Sequence, residues 1–262
     1  MDLGFLNIAG GIQYHLRALR FWKSSWLPFR LQLETWGMNW KPASKTCVMV
    51  GPSGGYCLSD LWLKKFDRVI AWDPDPLAET FFKRNHPQLQ GEIDFTWIRQ
   101  DWLKVVVEAG FNREKFLKDN DLPLDSCFLF TNFLGQIEYI IPETSEDFIR
   151  RLPEFLKGAS FLSFHDRLSS GLKLRREPAW ISEKRVESEA LAQEFYLPDD
   201  PSRNRFGIRK KILEVEEHDL DAFMVGIEKD VCPAYLYVPW QLRASRTQLI
   251  EGVYSSPCEQ SV

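Results

Sequence analysis

Short apolar runs alternate with amphipathic helical stripes through the middle of this chain. That alternation limits it to a small set of folds. Cys47–Val50 is a β-branched run that stops abruptly at Gly51 and Pro52. Leu58, Leu61 and Trp62 then recur at helical spacing, which predicts a helix starting just after Gly55. Arg68–Trp72 reads as a second strand. Asp75 and Pro76 read as the N-cap and first residue of a helix striped by Leu77, Ala78, Phe81 and Phe82, and Pro87 ends it. A third strand (Phe95–Ile98), a polar helical stretch (Trp102 to Asp119) and a fully apolar fourth strand (Ser126–Phe130) follow. Thr144 with Asp147 predicts a capping box for the next helix, and Gly158 its C-cap. Ala159–Phe164 is the fifth strand, which places His165 and Asp166 in the loop after it. Strands alternating with helices in this way predict a doubly wound, mostly parallel α/β sheet.

The flanks read differently. Residues 11–36 look helical and aromatic, interrupted at Pro28, so residues 1–45 are expected to form a helical cap. Residues 46–262 are expected to form the main domain, with 167–210 a substrate-facing insertion. A helix is expected around Val186–Phe195, and late strands around Lys211–Glu216 and Ala234–Val238, paired antiparallel at one sheet edge.

Composition narrows the function. Apolar residues are 44% of the 262, enough for a sizeable core. A net charge of −4 argues against a nucleic-acid partner. The five cysteines have no CxxC spacing, so neither a zinc site nor a disulfide framework is expected. With no signal-like N-terminus and no long apolar window, the expectation is a cytoplasmic protein with no membrane segment.

In a doubly wound sheet, ligands bind beyond the carboxyl ends of the strands at the switch point. The first end reads Gly51-Pro52-Ser53-Gly54-Gly55-Tyr56. Small residues there let a backbone approach a ligand, and a following helix would offer free N–H groups. No lysine follows Gly55, which disfavours a P-loop. Ser53 and Tyr56 disfavour a dinucleotide fingerprint. Asp73, 22 residues after Gly51 and before Pro74, can accept from both hydroxyls of a ribose, or act as a turn residue. Asp101 and Trp102 at the third end can meet an adenine, or cap and pack a helix. Thr131 and Asn132 end the fourth strand near where a reactive group would sit. His165 and Asp166 are the candidate general bases, or else loop residues linked to Arg167. His15, His86 and His218 have no partner at chemical spacing and read as surface or cap residues.

Taken in order, the loop, Asp73, Asp101 and Asn132 resemble motifs I to IV of the class I S-adenosylmethionine-dependent methyltransferases, over about residues 46–165. The resemblance implies a Rossmann-like fold with S-adenosylmethionine as cofactor and a methyl acceptor, with a small molecule expected. It implies Gly51, Ser53, Gly54 and Gly55 near the methionine and ribose, Asp73 with Pro74 at the ribose, Asp101 and Trp102 at the adenine, and Thr131 and Asn132 near the sulfonium. Met49 and Ser53 depart from the family pattern, and no Asn-Pro-Pro-Tyr follows Asn132. A non-catalytic S-adenosylmethionine or S-adenosylhomocysteine binder therefore stays open, as does an NAD-dependent enzyme. The basic residues Lys173, Arg175, Arg176, Lys184, Arg185, Arg203, Arg205 and Arg209–Lys211 either hold an anionic substrate or form a solvated surface. Trp36, Trp40 and Trp180 are alternative linings for an apolar pocket.

Overall fold

The computed structural model describes residues 11–172, 174–175, 178–196, 215–217, 220–227, 235–243 and 246–255. Five parallel-type strands come first: β1 (Thr46–Val50), β2 (Arg68–Trp72), β3 (Asp94–Ile98), β4 (Cys127–Thr131) and β5 (Phe161–Ser170). β6 (Trp180–Ser182), β7 (Val215–Glu217), β8 (Tyr235–Arg243) and β9 (Arg246–Ser255) complete the sheet. Its order is β3-β2-β1-β4-β5-β9-β8-β6, and β7 pairs with β5 beside that path. β1 to β5 are mutually parallel, with the switch point between β1 and β4. β9 runs antiparallel to both β5 and β8. β8 therefore points the same way as β5, with β9 reversed between them; β6 and β7, antiparallel to β8 and β5, are reversed as well.

Strand alternation sends side chains into two cores. Val48 and Val50 point into one, Cys47 and Met49 into the other. The first core is covered by α5 (Trp102–Glu108), α6 (Arg113–Asp119), α8 (Ser145–Leu156), α9 (Ser188–Phe195) and α10 (Asp221–Ile227). The second is covered by α1 (Gly11–Arg20), a π-helical turn (Trp22–Trp26), α2 (Leu27–Gly37), α3 (Asp60–Leu63) and α4 (Ala78–Asn85). A short α7 (Ile137–Ile140) follows a 3-10 turn at Leu134–Gln136.

The N-terminal segment is a packing layer of the sheet. Phe29 stacks on Trp240 with ring centres 4.5 Å apart, and Trp26 meets the same indole edge-on. Pro28 opens α2, where a missing N–H costs nothing. Trp36 and Trp40 are buried here in the second core; Trp40 also borders a surface hollow beside Met38, Pro42 and Lys65, away from the carboxyl ends of the strands. Trp36 lies over Gly252, and the Trp40 indole N–H donates to the Ser255 carbonyl at 2.9 Å.

Gly37 closes α2 against the flat face of Trp62, whose N–H donates to the Glu34 carbonyl at 3.1 Å. A Cβ at Gly37 would sit 2.2 Å from Trp62 Cζ2. Alanine would gain up to about 1 kcal/mol of helix propensity. Overpacking against a fixed indole costs about 1–3 kcal/mol and wins. Gly37→Ala is expected to lower the urea midpoint; an unchanged or higher midpoint would mean that α2 and Trp62 separate freely.

Several expectations need correction. The helix after the first loop does not start at Gly55: residues 51–59 are turns, and α3 begins at Asp60, capped by Ser59. α4 begins at Ala78; Asp75 caps the preceding turn, accepting from Leu77 N–H at 2.9 Å. Residues 102–119 form two helices, broken where Gly110 and Phe111 take positive φ. Thr144 stands at the N-cap of α8 without a side-chain cap bond. β5 runs ten residues, to Ser170, so His165 and Asp166 lie within the strand. The late antiparallel pair is β8 with β9, and β9 lies inside the sheet. Of the strand expected at 211–216, residues 215–216 fall in β7 and 211–214 lie outside the described residues.

Candidate functional site

The carboxyl ends of β1 and β4 meet at the switch point. Gly51 leaves β1 at φ +68°, its N–H donating to the Trp72 carbonyl at 2.9 Å. Ser53 is also in the left-handed region, at φ +48°. Asp73 holds this turn. Its Oδ2 accepts from Ser53 N–H at 2.7 Å and its Oδ1 from Asp75 N–H at 2.9 Å. Burial pushes its carboxyl up to about 6, against those two N–H groups. Each oxygen keeps a second lone pair for a ligand. Pro74 is exposed beside it.

The following glycines serve the chain's own packing. A Cβ at Gly54 would strike Tyr56 at 2.6 Å, and one at Gly55 would strike His86 at 2.4 Å. Because α3 starts later, no helix N-terminus is offered to a ligand at Gly55.

At the end of β4, Thr131 Oγ1 donates to the Val50 carbonyl at 2.9 Å and ties β4 to β1. Asn132 then turns left-handed at φ +53°, its N–H donating to the Phe164 carbonyl at 2.8 Å. Its side chain faces Asp166, whose Oδ2 also accepts from Gln136 Nε2. Burial pushes the Asp166 carboxyl up to about 7, against those two amides. Asn132 Oδ1, Asp166 Oδ1 and Ser53 Oγ are buried without a hydrogen-bond partner.

Asp101 follows the carboxyl end of β3, as expected, and caps α5 through Oδ1, accepting from Leu103 N–H at 3.0 Å. The other expected site residues take different roles. Trp102 is 1% exposed among Phe116, Phe130, Phe148 and Phe155, so its ring is core and borders no ligand. His165 is a neighbour of Asp166 in sequence but faces the opposite side of β5, with Nε2 3.4 Å from Glu251 Oε2. Burial lowers its pKa against the pull of Glu251. His165 and Asp166 therefore do not work as a pair. Arg185 is drawn into the same interior cluster, Lys184 is exposed, and Arg175 donates to the Gln193 carbonyl at 3.4 Å. Lys173, Arg176, Arg203, Arg205 and 209–211 lie outside the described residues, as does His218.

Two buried histidines were missed by sequence spacing. His15 on α1 meets Tyr56 OH at 2.9 Å and Asp75 Oδ2 at 3.1 Å, and Gly11 N–H donates to the same oxygen at 3.1 Å. α1 is thereby fixed over the ends of β1 and β2. His86 joins Asp60 to the Gly55 carbonyl. Their partners lie 26 to 60 residues away, and no local pattern marks them. Among the described residues, no group of His, Cys, Asp and Glu could hold a metal, and no helix is long and apolar enough to cross a membrane.

The fold and this edge define a Rossmann-like, doubly wound α/β protein resembling the class I methyltransferases. No protein-family model matches the chain, and no curated protein matches it. Similar solved structures include the N-methyltransferase NodS from Bradyrhizobium japonicum in complex with S-adenosyl-L-homocysteine. It has 9% identity and a TM-score of 0.40, over 86% of this chain and 82% of that one. Geranyl diphosphate methyltransferase in complex with SAM has 9% identity and a TM-score of 0.40, over 87% and 85%. An S-adenosylmethionine-dependent methyltransferase from Clostridium acetobutylicum has 12% identity and a TM-score of 0.37, over 95% and 83%. The fold rests on the strand order and register, not on these scores.

Proposed function

We propose that this chain is a cytoplasmic S-adenosylmethionine-dependent methyltransferase with a small-molecule acceptor. The observation that carries the reading is the meeting of Gly51, Ser53 and Asp73 at the β1/β4 switch point, where doubly wound sheets take ligands, with Asn132 and Asp166 left beside them for an acceptor. The unpartnered hydroxyl oxygen of Ser53 and the spare lone pairs of Asp73 suit the donor-rich methionine and ribose parts of the cofactor. Those residues would hold it, with Asp101 at the adenine end; Trp102, Gly54 and Gly55 are committed to the fold. When bound, the cofactor supplies an electrophilic methyl group. The chain's share is to orient the acceptor and exclude water, the work that dominates displacements of this kind. α1, anchored on Asp75 and Tyr56, is placed to shield the site.

A second reading is a non-catalytic binder of the same ligand. Its support is that Tyr56, Phe81 and His86 already fill the space around Gly54 and Gly55.

Calorimetric titration with S-adenosylhomocysteine tests both. Wild type is expected to bind, and Asp73→Ala to bind about 10- to 150-fold more weakly, the value of charge-assisted hydrogen bonds. A thermal melt of the variant checks that the loop survives. Absence of wild-type binding removes both readings. Binding without methyl transfer to any acceptor in a broad panel favours the second.

A further inference from the structure

Asp166 is a buried carboxyl whose surroundings leave it half satisfied. It is 0% exposed on β5, on the face turned to α1 and α2. The turn at Leu134–Gln136 is pressed against it: a Cβ at Gly135 would lie 2.8 Å from the Asp166 carbonyl oxygen and 3.0 Å from its nitrogen. Gln136 Nε2 donates to Oδ2, and the Asn132 side-chain amide also helps to hold the carboxyl down. Oδ1 has no hydrogen-bond partner, and neither has Oδ1 of the adjoining Asn132. Asn132 stands half-buried at the rim, held left-handed by Phe164. Two neighbouring acceptors thus lack donors.

We propose that Asn132 and Asp166 form the seat of an amine, so that the acceptor presents an ammonium nitrogen whose N–H groups bond to Asn132 Oδ1 and Asp166 Oδ1. Its place in a reaction rests on the cofactor reading above; its ligand chemistry rests on these two side chains. A carboxylate or phosphate brings further acceptors and is repelled. A hydroxyl brings one hydrogen and satisfies one oxygen. An ammonium brings three hydrogens and a charge opposite to that of Asp166.

The other groups facing Asp166 are Tyr14 of α1, Cys57 of the loop after β1, Tyr196 after α9, and Arg246 of β9. Burial pushes the two phenols and the thiol up, so they are neutral near pH 7. The Arg246 guanidinium donates to Ser169 Oγ at 2.8 Å. Ser169 is neutral, so the Arg246 charge remains and helps to hold the Asp166 carboxyl down; the seat carries the Asp166 charge when that carboxyl ionises, offset in part by Arg246. One proton then passes from R–NH3+ to Oδ1, giving R–NH2 with a free lone pair and a neutral carboxylic acid. A carboxyl titrating near neutrality returns that proton to water afterwards.

The experiment is a titration with n-butylammonium chloride, followed by calorimetry and NMR, on free and S-adenosylhomocysteine-saturated protein. Wild type is expected to bind butylammonium in both states with affinities within about twofold. Binding should strengthen as pH rises through about 7. Asp166→Asn should weaken it at least about tenfold and flatten that pH profile, with S-adenosylhomocysteine affinity unchanged. Asn132→Gly keeps the left-handed turn, deletes the amide and should also weaken it. Tetramethylammonium and n-butanol should not bind. Equal binding by wild type and both variants overturns the seat. So does one-for-one competition with S-adenosylhomocysteine, which would give these oxygens to the cofactor's own ammonium. So does no binding by wild type, the result expected if a buried water fills the gap. If butylammonium binds and S-adenosylhomocysteine does not, the cofactor reading falls and the amine seat stands.

Discussion

Glu251→Gln is expected to lower unfolding stability at pH 7 by about 3–5 kcal/mol, the cost of breaking a buried ion pair from one side. Glu251 is 0% exposed on β9, opposite His165 across the ladder. Its Oε1 accepts from Arg185 Nε and from Tyr237 OH, each at 3.1 Å. Its Oε2 lies 3.4 Å from His165 Nε2 and 3.9 Å from Arg167 Nε. Arg167 is 1% exposed; its other carboxylate partners, Glu217 and Asp221, are about half exposed. Without the Glu251 charge, the carboxylate partners left to the two interior guanidiniums among the described residues are these solvent-weakened ones. A glutamine oxygen replaces one hydrogen bond and no charge. Burial raises the Glu251 pKa, but His165, Arg185 and Arg167 outweigh it and hold the carboxyl down to about 2. Its contribution is thus present above the ordinary carboxyl range near pH 4 and is lost as pH falls toward 2. Urea unfolding at pH 7 and pH 3 should show the wild-type advantage shrinking with acid. A variant within about 1 kcal/mol of wild type at pH 7 would mean that the cluster is wet.

That cluster also shows why sequence reading stopped where it did. β1, β2 and β4 are short apolar runs buried on both faces, and such runs announce themselves; β3, at the sheet edge, is partly exposed and carries its signal in Phe95, Trp97 and Ile98. β5 continues through Ser163, His165, Asp166, Arg167, Ser169 and Ser170, all buried. A strand that polar reads as a loop. It is a strand because β9 lies against it and supplies Glu251, about 85 residues later in the chain. β9 itself carries Glu251 and Gly252 at its centre, which hid its own pattern. Gly51, Asp73 and Asn132 stand at the strand ends that the sequence predicts, because short apolar strands fix where their ends fall. Trp102 was misplaced because a tryptophan at a strand end and one in a helix core look alike without tertiary contacts. Asp166 was picked as a candidate, but on the wrong element. What makes it notable is the turn at Leu134–Gln136 and α1, neither of which its own segment reveals.

Asp166→Asn is expected to make the protein more stable than wild type at pH 8 and close to it at pH 4. Burial has raised the Asp166 pKa to about 7, from an ordinary aspartate value of about 3.9. A raised carboxyl gives the fold stability that is fully present below the unfolded pKa and lost as pH climbs through the folded one. Between roughly pH 4 and pH 7 the wild type therefore weakens, and above pH 7 it holds an ionised carboxylate in the interior. Three units correspond to at most about 4 kcal/mol; water entering around the charge reduces that, and about 1–3 kcal/mol is expected at pH 8. Asparagine fills the same volume and still accepts from Gln136. Asp73, raised to about 6, titrates with the same sign, and His165, lowered, with the opposite sign. Both remain in the variant, so the difference between the two proteins isolates Asp166. Urea midpoints at half-unit steps from pH 4 to pH 8 give the curve. A pH-independent gap would mean that Asp166 is solvated and would remove the reason to seek a ligand there. A gap that opens with pH identifies a carboxylate that works against its own fold, as groups arranged to bind or move protons do. The same substitution should then abolish the amine seat, so that stability gained and ligand lost come from one atom.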